Sequence, residues 1–315
     1  MLKPNKSYAG AREAFRWRIP ERYNMGVDVC DKFADITPNA PALIDVLKDG
    51  SPRPYSYLEL KRLSNRLANA LLANGLGAGD RVGILLPQCP ETALTHIACY
   101  KAGLIAVPLF TLFGEDALEY RLANSGTAAI VTDRENMPKI DAIKGRLNDL
   151  RLILSVDGAE SDVRDFHALL SSASDAFSPV DSLAEDPALL IFTSGTTGPP
   201  KGALHAHRTL LGHFPGVQFM HDFFPKAGDR FWTPADWAWA GGLLDVLLPS
   251  LALGKSVLIY RGRKFDPEDT YRLLADHEVR NSFLPPTALK LMRQVERPRE
   301  RWNFAMRSIF TGGEA

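Results

Sequence analysis

Short apolar runs alternating with helical periodicity constrain this chain more than any other feature. Residues 81–86, Arg-Val-Gly-Ile-Leu-Leu, are apolar almost without a break and stop at Pro87; comparable runs recur at 104–107, 128–132 and 152–156. Runs of this length are short for helices and lack the alternation of a half-exposed sheet, so they fit strands buried on both faces. Helix-length stretches lie between them. Residues 57–74 place Leu60, Leu63, Leu67 and Leu71 at three- and four-residue steps and end at Gly75 and Gly77; 91–101 and 116–124 are also helical by pattern. Strands joined through helices are parallel, because each connection must carry the chain back to the starting edge. The expected fold is therefore α/β, with two βαβ lobes whose mostly parallel sheets are covered by helices.

A second series of strands is predicted at 188–193, 230–233, 256–260, 281–284 and 308–310, with helices at 207–219, 242–253, 267–277 and 287–295. The polar stretch 171–186 separates the two series and is the linker candidate, which puts the first lobe at residues 1–180 and the second at 181–315. A chain of 315 residues is long enough for two lobes.

Lys plus Arg and Asp plus Glu are both 37, so no global positive field favours nucleic acid or an anionic membrane as partner. Cys30, Cys89 and Cys99 show no CxxC spacing, which points away from zinc and disulfides and towards a reducing, cytoplasmic compartment. Residues 1–20 are basic without an apolar core, and no 18-residue apolar stretch occurs, so neither a secretory signal nor a spanning helix is expected.

The chemistry is concentrated at residues 189–202. An apolar strand runs into Thr193, Ser194, Gly195, Thr196, Thr197, Gly198, Pro199, Pro200, Lys201 and Gly202. Glycines let backbone N–H groups approach an anion without hindrance from a Cβ, hydroxyls add short donors, and Lys201 adds a point charge, so the loop suits a polyphosphate. Lys201 follows Pro200 and precedes Gly202, which does not fit the common GxxxxGK[ST] loop. His205 and His207 are spaced to share a strand face, but no third ligand is evident, so a structural role is expected and no metal ligand is assigned. The aromatic run 214–225 reads mainly as core, and the basic run 261–264 as a solvated loop.

The segment 189–202 resembles the signature of the adenylate-forming, AMP-binding superfamily, and the likeness extends along nearly the whole chain. Residues 55–60, Gly79-Asp80-Arg81-Val82 and Tyr100-Lys101-Ala102-Gly103 are similar to its early motifs. Residues 236–242 resemble its aromatic acyl-pocket motif in the form seen in acetyl- and medium-chain acyl-CoA synthetases. Pro286-Thr287-Ala288 and Gly312-Gly313-Glu314-Ala315 look like its next signatures. The resemblance implies that Thr193, Ser194, Gly195, Thr196, Thr197, Gly198 and Lys201 wrap the ATP phosphates, with Lys201 and Thr196 acting at the reacting groups. It implies that Gly313, Glu314 and Ala315 contact adenine, and that Asp236, Trp237, Trp239, Gly241 and Gly242 line the carboxylate pocket.

The reaction so implied is attack of a carboxylate on the α-phosphate of ATP with Mg2+, giving an acyl-adenylate and pyrophosphate, followed by transfer to coenzyme A. The glycines at 241 and 242 are expected to leave room for an acid larger than acetate. Two alternatives stay open: a non-catalytic nucleotide-binding module, and an amino-acid-adenylating domain in which Asp236 holds an ammonium. The family's later motifs would fall beyond Ala315. The expectation is thus an N-terminal portion without the C-terminal lid domain and with little ligase activity alone.

Overall fold

The computed structural model describes residues 2–5, 7–193, 198–262 and 265–313. Among them are the strands β1 (Pro41–Val46), β2 (Pro52–Ser56), β3 (Arg81–Leu85), β4 (Ile105–Pro108), β5 (Thr127–Thr132), β6 (Leu152–Ser155), β7 (Arg164–Asp165), β8 (Pro187–Thr193), β9 (Lys201–Ala206), β10 (Arg230–Trp232), β11 (Ser256–Tyr260), β12 (Asn281–Phe283) and β13 (Ser308–Phe310). The predicted strands reappear within a residue or two of their expected ends. The fold is α/β, as the apolar rhythm requires.

The chain divides into two compact units, one of Glu21–Pro38 and Tyr57–Arg208, the other of Met1–Pro20, Asn39–Ser56 and Thr209–Ala315. The first holds a seven-stranded sheet in the order β7-β6-β5-β3-β4-β8-β9. Its pairings are parallel except that of β9 with β8. Leu85, Val107, Ile130 and Ile153 from the strands pack with Leu118, Leu122, Ile140 and Ile143 from the helices, each nearly or fully buried. Burying each such side chain is worth about 1.5–3 kcal/mol.

The second unit holds a six-stranded sheet in the order β13-β12-β10-β11-β1-β2, parallel except where β2 runs against β1. Ile44, Leu258, Trp232 and Leu284 pack there with Leu273, Leu274 and Met292.

This division differs from the expected boundary at 180/181. β8 pairs with β4 through Ala106 and Leu189, which puts residues 187–206 in the first unit. β1 pairs with β11 from Leu43 opposite Val257 to Val46 opposite Tyr260, which draws residues 39–56 into the other. Segment 171–186 is likewise no free linker. Asn69 donates to the carbonyls of Ser174 and Ala176 at 2.8 and 2.9 Å, Asn65 to that of Asp175 at 3.0 Å, and Asn24 to that of Val180 at 3.1 Å. Side-chain amides thus satisfy a backbone that has no ladder of its own.

One charge is buried in the first unit. Lys101, the last residue of the helix Pro90–Lys101, is fully buried and pairs with Asp31. Its ammonium also donates to Ser64 Oγ and Asn65 Oδ1, both at 2.9 Å, on the helix Tyr57–Ala73. Lysine is tolerated at such a site only when paired and hydrogen-bonded in this way.

Candidate active site

The segment expected to hold phosphate falls between β8 and β9 in sequence. β8 and β9 are consecutive antiparallel strands in which Thr193 and Lys201 are Cα partners, both exposed. A P-loop leads from a strand into a helix, whereas here the next described element is the strand β9. Gly198 has φ +90°, a conformation that strains other residues, and Tyr120 Oη donates to the Pro200 carbonyl at 3.1 Å. Tyr120 lies on the helix Glu115–Ser125 and escaped the sequence reading, because nothing in a helical pattern marks a residue that reaches a distant loop. Ser194, Gly195, Thr196 and Thr197 lie outside the described residues.

His207 is fully buried; its Nδ1 accepts the Met25 N–H at 3.2 Å, and burial lowers its pKa to about 4. This neutral ring is part of the packing. In the basic run, Arg261 is exposed in the loop after β11, as expected, and donates to Asp45 Oδ2 at 2.5 Å, tying the end of β11 to β1; Arg263 and Lys264 lie outside the described residues. In the aromatic run, Phe214 and Phe224 are buried whereas Phe219 is 70% exposed.

The pocket motif and the Gly-Gly turn belong to the other unit. Thr233, buried, donates to the Phe283 carbonyl at 2.7 Å and accepts the Ala235 N–H at 3.0 Å, which fixes where the motif begins. Asp236 then makes a tight turn: Oδ1 accepts the Ala238 N–H at 2.8 Å, and its carbonyl accepts the Trp239 N–H at 3.1 Å. Trp237 is fully buried and its indole N–H has no partner among the described residues, whereas Trp239 is 61% exposed.

Gly241 and Gly242 meet a local packing constraint. A Cβ on Gly241 would lie 2.9 Å from the Phe283 ring, and one on Gly242 would lie 2.4 Å from the Asp236 carbonyl oxygen and 2.9 Å from that of Ala235. The space that these glycines leave is filled by Phe283 and by the turn itself. Phe283 also stacks on Phe310 of β13 at 5.5 Å between centroids. One buried ring thus touches the pocket motif and the strand that leads to Gly312 and Gly313, the latter at φ +88°. Glu314 and Ala315 lie outside the described residues.

β13 is fastened by a polar network. Arg307 donates to both carboxylate oxygens of Asp229, at 2.9 and 2.6 Å, and to the His221 carbonyl at 2.8 Å, while His221 Nδ1 and Ser308 Oγ are 2.8 Å apart. Burial, assisted by Arg307, lowers the His221 pKa to about 4. A cleft of about 610 Å³ in this unit, lined by Tyr271, Leu289 and Phe304 among others, includes none of the expected site residues.

Burial raises the Asp236 pKa from 3.8 to about 6, against the opposing pull of the Ala238 N–H. A carboxyl whose folded pKa is raised adds most stability below its unfolded pKa and loses that contribution as pH climbs through the folded value. Asp236→Asn keeps the acceptor and removes the charge. The variant should exceed the parent in stability at pH 8 by about 2 kcal/mol and match it near pH 4, as read by urea unfolding at the two pH values. Equal stabilities at pH 8 would refute the buried-charge account.

The chain belongs to the AMP-binding enzyme family, whose model matches residues 30–315. It is similar to the mitochondrial acyl-coenzyme A synthetase ACSM2 of Rattus norvegicus, at 30% identity over 94% of this chain and 52% of that protein. It is also similar to the mitochondrial acyl-coenzyme A synthetase ACSM4 of Homo sapiens, at 31% identity over the same shares. The crystal structure of an acyl-CoA synthetase of Brucella canis superposes with a TM-score of 0.87 at 27% identity, over 98% of this chain and 57% of that one. The anthranilate CoA ligase AuaEII, solved with anthranoyl-AMP, shares the fold with a TM-score of 0.85 at 22% identity, over 94% of this chain and 56% of its own. The chain spans about half the length of the curated relatives it matches.

Proposed function

We propose that the chain takes part in AMP-forming activation of a carboxylic acid, binding ATP through the β8–β9 hairpin and the acid beside residues 236–242, for transfer to coenzyme A. The observation that carries this reading is the register pairing of Thr193 with Lys201, which puts a hydroxyl and an ammonium side by side, both exposed, at the mouth of the loop. A carboxylate is a weak nucleophile towards an anionic phosphate, so the reaction depends on positioning and on neutralising charge. Lys201, together with Thr196 and the loop hydroxyls, would do both at the phosphates. Gly312 to Ala315 would face the adenine.

The donor set suits phosphate oxygens rather than a cation, so Mg2+ would be held by the nucleotide and would screen its charge. The AMP-forming acyl-CoA synthetase reading is supported by the names of the relatives. The amino-acid alternative requires a charged Asp236 free to meet an ammonium. Here one Asp236 oxygen is already occupied by the Ala238 N–H, which closes the local turn.

The test is calorimetric titration of the chain with MgATP. Lys201→Ala should weaken binding at least tenfold, as expected for loss of a charge-assisted bond of about 1.5–3 kcal/mol. Unchanged affinity would remove Lys201 from the phosphate site.

A further inference from the structure

We propose that Cys30 and Lys101 form a reversible oxidative cross-link, in which one oxygen atom bridges the Cys30 sulfur and the Lys101 ε-nitrogen. The inference is independent of the function proposed above and rests on the buried cluster of the first unit. Cys30 and Lys101 are both fully buried, with Sγ 3.9 Å from Nζ. The sulfur's contact with the Tyr57 carbonyl is long, at 4.0 Å, and its other polar neighbours, Ser64 and Asp31, are the residues that hold the Lys101 ammonium, so sulfur and amine share one set of partners. A direct S–N bond would require the two groups to collapse onto each other. An inserted oxygen spans most of the gap already present.

The amine must lose its proton to react, and its ion-pair partner Asp31 is in place to take it. The first hydrogen peroxide oxidises the thiol to a sulfenic acid and leaves as water, forming the S–O bond. The second oxidises the amine nitrogen. The sulfenic O–H and one N–H are lost, the N–O bond forms, two waters leave, and the remaining ammonium proton passes to Asp31. In total, one thiol, one ammonium, one carboxylate and two peroxides give the bridge, a carboxylic acid and three waters. Four electrons are transferred, and the buried site stays neutral because the ammonium and the carboxylate disappear together. That neutrality answers the main objection to modifying a buried lysine, which is an unpaired carboxylate left behind.

Burial pushes the Cys30 thiol up to about 12, so the sulfur meets peroxide as the thiol and the bridge forms slowly. Among the described residues no lysine Nζ lies within hydrogen-bond reach of Cys99, which is equally buried and serves as an internal control. The bridge would join the turn Val27–Asp31 to the end of the helix Pro90–Lys101, where the Lys101 carbonyl also receives the Val180 N–H at 2.8 Å. Three separate stretches of chain would then be tied at one point.

The experiment is peroxide treatment of the folded chain followed by mass spectrometry. The expected product has gained one oxygen and lost two hydrogens, yields a single joined peptide carrying both Cys30 and Lys101, and reverts with dithiothreitol. Cys30→Ser should abolish that product while the circular dichroism spectrum is unchanged. If that variant does not fold, the peptide map of the parent chain decides alone. Oxidation of Cys30 to sulfinic acid with Lys101 recovered unmodified would overturn the proposal, as would a thiol at Cys30 that survives conditions oxidising Cys99.

Discussion

Lys101→Met should cost about 3–5 kcal/mol in urea unfolding followed by circular dichroism, a large part of the roughly 5–15 kcal/mol that holds a typical domain together. The methionine fills much of the lysine's volume, so lost packing is a minor component. The cost comes from Asp31, which is left buried and charged without its cation, and from Ser64 Oγ and Asn65 Oδ1, which lose a donor at 2.9 Å. The double variant Lys101→Met, Asp31→Leu should recover most of the loss, because removing both charges also removes the desolvation penalty. A single variant as stable as the parent would mean that water reaches the site.

Gly242→Ala should be the most damaging one-carbon change in the other unit, costing about 3 kcal/mol, at the upper end of overpacking effects. The atoms a Cβ would meet are the carbonyl oxygens of Asp236 and Ala235, at 2.4 and 2.9 Å, and neither can rotate away. Gly241→Ala meets the edge of the Phe283 ring at 2.9 Å and should cost less, since a ring tilts more easily than a peptide plane. Thermal unfolding of the two variants side by side reads the order. If Gly241→Ala proved worse, the tight turn at Asp236 would not be the rigid element described here.

How much of this was legible in the sequence depended on the range of the interaction concerned. Buried parallel strands advertise themselves through local apolar runs, and 256–260 and 308–310 were placed to the residue. β1 and β2 were missed although Asp49-Gly50, with Gly50 at φ +84°, marks their hairpin. Pro52 and Pro54 argued against a strand, and they are accepted because β2 lies at a sheet edge. β9 was hidden because its exposed, glycine-containing sequence follows a loop that drew attention to ligand chemistry. The helix expected at 242–253 is present, but it passes through a wider π-type turn at Leu243–Leu247 ahead of Pro249, which has no N–H for the ordinary ladder.

The site showed the same limit. Loop composition pointed to phosphate chemistry, and the chain does belong to the AMP-binding enzyme family. Phe283 and Thr233, which shape the pocket motif, left no local signal, because their partners lie about 50 residues away in sequence. Nor did Lys101 stand out. Its burial depends on Asp31 and on a helix face that come together only after folding.

The six-stranded sheet has two unlike margins. At one, the prolines of β2 offer an approaching strand no donor at two positions; at the other, β13 has β12 as its only neighbour among the described residues, and Ile309 is 45% exposed. Among the described residues, β2 is thus the blunted margin, and β13, which leads towards Gly312 and Gly313, is the margin whose outer backbone groups no proline removes.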